Sequence, residues 1–289
     1  MASYKQTLRA AEKQLQNAEC GEQAAFMLLL ELAQMEAHNL YMEFDQEIPG
    51  DINKRFQDGV ARLAENEPLA HILGYEWFYG YRFLVNEDVL IPRPETEELV
   101  ANILSAYDDF FKTDGNIIAA DIGTGSGAIA IALKKEEPSL HVLATDISKE
   151  AVDVAVRNAE LNEVSVSFCI GDMLEPLIDR DLKVDILISN PPYIPKEEVL
   201  ETSVKDHEPH VALFGGEDGL KYYRIIFEKA KQVLKPKAMM AFEMGWNQRE
   251  ALLNEVKAYF PDAYAEVLKD INGKDRMLFV YFGIDPSHE

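Results

Sequence analysis

The sequence predicts an α/β protein in which a mostly parallel sheet of seven strands is covered by helices on both faces and preceded by a small helical domain. Three observations carry this expectation. Seven short apolar runs recur from residue 117 onward, helical stretches separate most of them, and residues before about 65 have helix-forming composition.

Residues 3–18, 21–40 and 51–65 read as helices, with Leu28, Leu29, Leu32 and Met35 recurring at helical spacing. The aromatic segment from Gly74 to Val85 then reads as a hairpin turning at Gly80. Its rings lack interleaved basic residues apart from Arg82, which favours packing over base stacking. Strands are expected at Ile117–Ile122, Leu140–Asp146, Val164–Ile170, Val184–Ser189, Ala238–Met244, Ala263–Leu268 and Met277–Phe282. Helices are expected at 126–136, 148–161, 217–234 and 247–260. The implied division is a helical domain at 1–73, a hairpin linker at 74–95 and an α/β domain at 96–289. No internal repeat or low-complexity segment interrupts it.

With 289 residues, 47% apolar and 27% charged, the chain has material for an ordinary buried core. Its 28 basic side chains face 51 acidic ones, a net charge of −23, and residues 1–95 (8 basic, 16 acidic) are no more basic than the rest. Binding a phosphate backbone gains from a cationic surface, so a duplex nucleic-acid substrate is disfavoured. Acidity suits solubility and, secondarily, a basic protein partner. Cys20 and Cys169 form no CxxC pair, the start is not secretory, and the apolar stretch Ala24–Ala33 is broken by Glu31 and too short to span a bilayer. A cytoplasmic protein without membrane contact is expected. Histidines 38, 71, 141, 207, 210 and 288 make no metal-ligand pattern, so no metal is expected.

Chemistry concentrates at successive strand ends. The first strand runs into Asp121-Ile122-Gly123-Thr124-Gly125-Ser126-Gly127-Ala128, whose glycines permit a sharp turn and close approach of a ligand to the backbone. The run also satisfies G-x-G-x-x-A, so a nicotinamide dinucleotide site competes, and so does a turn with no ligand. Asp146 ends the second strand, where a carboxylate accepts hydrogen bonds from ribose hydroxyls. Asp172 after the third strand offers an acceptor for an adenine amino group, and Met173 a surface for its ring. S-adenosylmethionine fits this layout, its amino acid part by the glycine loop.

The fourth strand ends in Asn190-Pro191-Pro192-Tyr193. Asn190 offers a side-chain carbonyl, the prolines lack backbone N–H groups, and Tyr193 supplies a flat ring, a set suited to a planar NH2 group. The plainer alternative is a strand-ending turn.

These residues resemble the family of N5-glutamine methyltransferases that modify peptide-chain release factors, known as PrmC or HemK. The resemblance covers nearly the whole chain. Beyond the two motifs above, it rests on Glu67-Pro68-Leu69-Ala70-His71-Ile72-Leu73-Gly74 and, more discriminating, Val89-Leu90-Ile91-Pro92-Arg93-Pro94-Glu95-Thr96-Glu97. Glu208-Pro209-His210-Val211-Ala212-Leu213, Gly215-Gly216-Glu217-Asp218-Gly219-Leu220 and Asp270-Ile271-Asn272-Gly273-Lys274-Asp275-Arg276 extend it. Met173 departs from the pattern, since relatives often place tryptophan there, and residues 1–73 match the family's substrate-docking domain more loosely.

The resemblance implies a class I S-adenosylmethionine-dependent methyltransferase with a Rossmann-like seven-stranded sheet. Cofactor contacts would fall to Gly123, Thr124, Gly125, Ser126, Gly127, Asp146, Asp172, Met173 and Asn190, with S-adenosylhomocysteine as product. The implied substrate is the glutamine of a Gly-Gly-Gln motif in a class I release factor, bound by Asn190, Pro191, Pro192 and Tyr193. Asn190 oxygen and the Pro191 carbonyl would accept the amide N–H bonds, Tyr193 packing on the amide plane. Arg93 and Glu95 to Glu97 read as capping a helix that begins near Thr96 and closing the site, and Glu243 as a turn carboxylate or a functional one. A monomer without stable nucleic-acid binding is expected. The alternatives are an amino-methyltransferase of DNA or RNA bases, which would use the same clamp, and a non-catalytic scaffold of the termination machinery. An NAD-dependent oxidoreductase would leave Asn190 to Tyr193 unexplained.

Overall fold

The computed structural model describes residues 2–16, 18–21, 23–198 and 202–286; His288 and the last residues of the expected α/β domain lie outside them. Helices come first: α1 (Tyr4–Leu15), α2 (Gln23–Ala33), α3 (Ala37–Met42), α4 (Gly50–Ala64) and α5 (Leu69–Leu73). The hairpin β1 (Tyr75–Phe78) and β2 (Tyr81–Leu84) follows, then α6 (Pro94–Phe110). Alternation begins with β3 (Ile118–Ile122), α7 (Ala128–Glu136), β4 (His141–Asp146), α8 (Lys149–Leu161), β5 (Ser167–Ile170), α9 (Glu175–Ile178) and β6 (Val184–Ser189). It continues through α10 (Thr202–His207), α11 (Lys221–Ala230), β7 (Leu234–Glu243), α12 (Arg249–Tyr259), β8 (Tyr264–Lys269) and β9 (Asp275–Phe282).

Contacts divide the chain into two compact units, Met1–Tyr75 with Val199–Glu208, and Glu76–Glu198 with Pro209–Glu289. In the first unit, α1 starts on a capping box in which Ser3 Oγ accepts from the Gln6 amide (3.3 Å) and Gln6 Oε1 from the Ser3 amide (3.2 Å). Leu8, Leu15, Leu28, Leu29, Leu40, Phe56, Val60 and Leu63 bury together as its core. The helix expected over 21–40 is two helices. Gln34 takes a left-handed φ of 53°, and the amides of Gln34 and Met35 turn back to Glu31 O and Leu30 O, a Schellman ending without its usual glycine. Segment 202–208 joins this unit because Glu19 accepts the amides at the start of α10, Thr202 at 3.1 Å and Ser203 at 3.0 Å.

In the second unit, the hairpin turns through Tyr79 (φ 53°) and Gly80 (φ 78°), two left-handed residues that match the twist of a tight hairpin. The seven-stranded sheet has the order β5-β4-β3-β6-β7-β9-β8. β9 runs antiparallel to β7 and β8, and the other pairings are parallel. Both faces are buried, as the near-continuous apolar strands require: Ala119, Ile186 and Ile188 enter one core, Ala120, Leu187 and Ile122 the other. Asp185 is a charged residue inside a fully buried strand, and it accepts from the Ile118 amide (2.8 Å) and pairs with Lys235 (2.7 Å).

The chain leaves β3 toward β4 and β5, then returns to β6 on the opposite side of β3. Reversal of strand order opens a crevice at the carboxyl ends, where open α/β sheets bind ligands.

Candidate active site

An open cleft lies at this switch point. It brings together Gly123, Thr124, Gly125, Ser126, Asp146, Asp172, Met173, Asn190 and Pro192. Gly127, Pro191 and Tyr193 are not among its lining residues. Gly127 instead stands at the start of α7, and Tyr193 packs partly buried against the second core.

The loop after β3 is built around its backbone. Gly123 and Gly125 have φ of 75° and 54°, conformations that an L side chain adopts only under strain. The Gly123 and Thr124 amides donate to Thr145 O (2.8 and 2.9 Å), and the Gly125 amide to Asp146 Oδ2 (2.9 Å). Asp146 Oδ1 accepts the Ser148 amide at 2.9 Å, so one carboxylate ties the ends of β3 and β4 together. Each of its oxygens retains a lone pair for a guest. Below the loop, fully buried Asn158 accepts from the Leu84 amide (2.7 Å) and donates to Leu84 O (3.0 Å) and Ser126 O (2.8 Å), joining hairpin, loop and α8. Asp172 is exposed on the cleft, and Met173 holds a φ of 46° while its carbonyl accepts from Thr145 Oγ1 at 3.2 Å.

Asp121 is buried beneath the loop. Its Oδ2 accepts from Thr124 Oγ1 at 2.6 Å, whereas Oδ1 has no partner among the described residues. Burial pushes this carboxyl up to about 7, against the opposing Thr124 hydrogen bond. A carboxyl raised on folding stabilises the fold fully below its unfolded value of 3.8, and that contribution is lost as pH rises through about 7. Asp121→Asn should therefore gain stability over the parent protein on going from pH 5 to pH 8, by up to about 3 kcal/mol. Thermal melting without ligand checks it, and a difference that does not change with pH would contradict it.

The fourth strand end carries a continuous polar chain. Asn190 Nδ2 donates to Thr96 Oγ1 (3.3 Å), Thr96 Oγ1 donates to Glu243 Oε2 (2.5 Å), and the Tyr193 hydroxyl donates to Glu243 Oε1 (3.2 Å). One of its two N–H donors is thus engaged, which turns the NH2 toward Thr96 and the carbonyl oxygen away from it. The backbone beyond it is clamped: Gln248 Nε2 donates to Tyr193 O (3.1 Å), and a Cβ on Gly219 would fall 2.3 Å from that same carbonyl oxygen. Close approach there, with φ of 76° at Gly219, delays the start of the helix expected over 217–234, and α11 begins only at Lys221.

Thr96 and Glu243 lie outside the clamp predicted from the motif alone. Thr96 sits in the Pro92-Arg93-Pro94-Glu95-Thr96 stretch that carried the family resemblance, which was the available signal. Arg93 also lines the cleft, beside three carboxylates, Asp88, Asp146 and Asp172. This balance favours a guest carrying more positive than negative charge.

A sheet in this order, with its sixth position reversed and its cleft over β3 to β6, is the class I S-adenosylmethionine-dependent methyltransferase fold. It is shared with a solved methyltransferase from Pyrococcus furiosus that is 20% identical, covering 78% of this chain and 98% of that one with a TM-score of 0.51. The family model described as "Methyltransferase small domain" matches residues 99–207, and "PrmC N-terminal domain" matches residues 6–74. Over 280 residues the chain is 45% identical to the release factor glutamine methyltransferase of Bacillus subtilis (strain 168), covering 96% of this chain and 97% of the relative. It is 43% identical over 276 residues to the Bacillus cereus protein of the same name, covering 95% and 97%. The chain belongs to the release factor glutamine methyltransferase family.

Among the described residues, no helix is long and apolar enough to cross a membrane, and no cluster of His, Cys, Asp or Glu is arranged to hold a metal.

Proposed function

We propose that this protein transfers the methyl group of S-adenosylmethionine to the side-chain amide nitrogen, N5, of the glutamine in the Gly-Gly-Gln motif of class I peptide-chain release factors. The observation that carries the substrate class is Asn190: its NH2 is held by Thr96, which leaves its carbonyl oxygen as an acceptor on the cleft. An acceptor oxygen followed by prolines without N–H groups suits a primary amide, which presents two donors.

The cleft fits the cofactor in charge and in layout. Gly123 to Gly127 lead into the N-terminus of α7, whose partial positive charge suits a carboxylate, and the acidic lining suits a sulfonium and an ammonium. Asp146 would take the ribose hydroxyls, and Asp172 with Met173 the adenine. When bound, S-adenosylmethionine supplies an electrophilic methyl group on a positively charged sulfur, and S-adenosylhomocysteine remains.

The protein's own contribution is orientation. An amide nitrogen is a weak nucleophile because its lone pair is conjugated with the carbonyl. Asn190 Oδ1 and the Pro191 carbonyl would accept its two N–H bonds and fix the plane of the group. Positioning of this kind accounts for as much as roughly 7–11 kcal/mol in favourable intramolecular cases. Tyr193 would border the amide while its hydroxyl stays on Glu243. No general base is called for, since the proton on the methylated amide becomes strongly acidic and leaves to water or a carbonyl.

The net charge of −23 supports a protein substrate over DNA or RNA, and a monomer acting in the cytoplasm completes the reading. The N-terminal unit would dock the release factor. Incubation with methyl-labelled S-adenosylmethionine and, separately, purified release factor or nucleic acid tests it. Label should enter the release factor at the motif glutamine, and label in nucleic acid alone would overturn the proposal.

A further inference from the structure

Asn190 has two faces, and catalysis on an amide needs only one of them. Rotated by half a turn, its NH2 would meet the NH2 of the substrate, donor against donor. Three side chains from separate elements decide the matter: Thr96 on α6, Glu243 at the end of β7 and Tyr193 after β6. Thr96 is 5% exposed and Glu243 2%. Thr96 has a single hydroxyl proton, and Glu243 Oε2 takes it at 2.5 Å, so the hydroxyl oxygen faces Asn190 only as an acceptor. Tyr193 spends its own proton on the other oxygen of the same carboxylate.

We propose that ionised Glu243, acting through the Thr96 hydroxyl, is a positioning residue that holds Asn190 in its acceptor orientation and thereby selects an NH2-bearing substrate. The inference rests on the reading of Asn190 as the amide acceptor. A carboxylate accepts only, so proton direction along the chain is fixed from Glu243 outward to Asn190. Protonated Glu243 donates instead to Thr96, Thr96 then donates to the asparagine oxygen, and the NH2 of Asn190 turns to the cleft.

The groups facing Glu243 set how readily this happens. Burial raises its carboxyl from the ordinary value, and Glu95 at the start of α6 raises it further. Arg276 on β9, anchored by Asp270 at 3.3 Å, opposes this, as do the hydrogen bonds from Thr96 and Tyr193. Tyr223 on α11 donates to the Glu243 backbone carbonyl at 2.7 Å and leaves the carboxylate untouched. Activity therefore depends on Glu243 being ionised, and it falls as pH drops through the raised value.

Thr96→Val and Thr96→Ser separate this role from packing. Valine keeps the shape and removes the hydroxyl, and serine keeps the hydroxyl and removes a methyl. With release factor as substrate, Thr96→Val and Glu243→Gln should each lose about 100-fold in kcat with S-adenosylmethionine affinity retained by calorimetry, while Thr96→Ser stays near the parent protein. The acid limb of the kcat profile should be present in the parent and in Thr96→Ser and absent in Thr96→Val. A fully active Thr96→Val, or a Thr96→Ser as impaired as valine, overturns the relay. Asn190→Ala run beside them separates the two readings: if it is inactive while Thr96→Val and Glu243→Gln turn over normally, the clamp stands and the relay falls. If Asn190→Ala turns over normally, the clamp itself is wrong.

Discussion

Replacing Asn190 by alanine should lower kcat for release-factor methylation by on the order of 100-fold or more while S-adenosylmethionine still binds. The asymmetry follows from where the residue acts. The holds proposed for the cofactor are the loop after β3, Asp146 and the Asp172-Met173 turn, whereas Asn190 Nδ2 donates to Thr96. The amide group of the substrate, by contrast, would lose one of two acceptors that set its plane, and a misplaced lone pair costs rate rather than affinity. Single-turnover methyl transfer together with calorimetric cofactor binding reads the two separately. Asn190→Asp sharpens the point, because aspartate keeps an acceptor yet cannot donate to Thr96. It would compete with Glu243 for the one Thr96 proton and should be impaired too. A turnover close to that of the parent in Asn190→Ala would remove the basis for the amide clamp.

What was legible in the chain follows from how far each feature reaches. Val184 to Ser189 reads as a central strand because all six residues are buried and five are not charged, a pattern that parallel sheets impose locally. The glycine loop and Asp146 were legible for a similar reason, as adjacent residues serve one strand end. Long-range choices left no local trace. Thr96 and Glu243 are 147 residues apart, and although Thr96 read as part of a cap closing the site and Glu243 as a turn or functional carboxylate, their pairing at 2.5 Å appears only in the fold. The return of residues 202–208 to the first unit depends on Glu19 accepting amides more than 180 positions along, and no composition signal marks it. Breaking of the expected 21–40 helix at Gln34 was hidden because glutamine is an ordinary helix former that here takes the position glycine usually fills. Tyr193 was legible as part of a motif, but the destination of its hydroxyl was not.

Replacing Asp146 should cost cofactor affinity on the order of 100-fold, equivalent to about 3 kcal/mol, and asparagine should serve little better than alanine. The carboxylate has two duties. It accepts the Gly125 and Ser148 amides, which fixes the glycine loop against β4, and its remaining lone pairs are those proposed for ribose hydroxyls. Alanine removes both duties at once. Asparagine preserves the shape but turns one oxygen into an NH2, which must then point at a backbone N–H, either that of Gly125 at the loop or that of Ser148 at the cap of α8. Donor facing donor in a half-buried turn cancels much of what the retained oxygen contributes. Asp172 provides the contrast: it is exposed on the cleft and holds no part of the loop, so Asp172→Ala should weaken binding by only about tenfold. Calorimetric titration of S-adenosylmethionine into the three variants distinguishes a carboxylate that builds the site from one that merely lines it. Parental affinity in Asp146→Asn would mean that the loop is held without the charge and that the ribose is bound elsewhere.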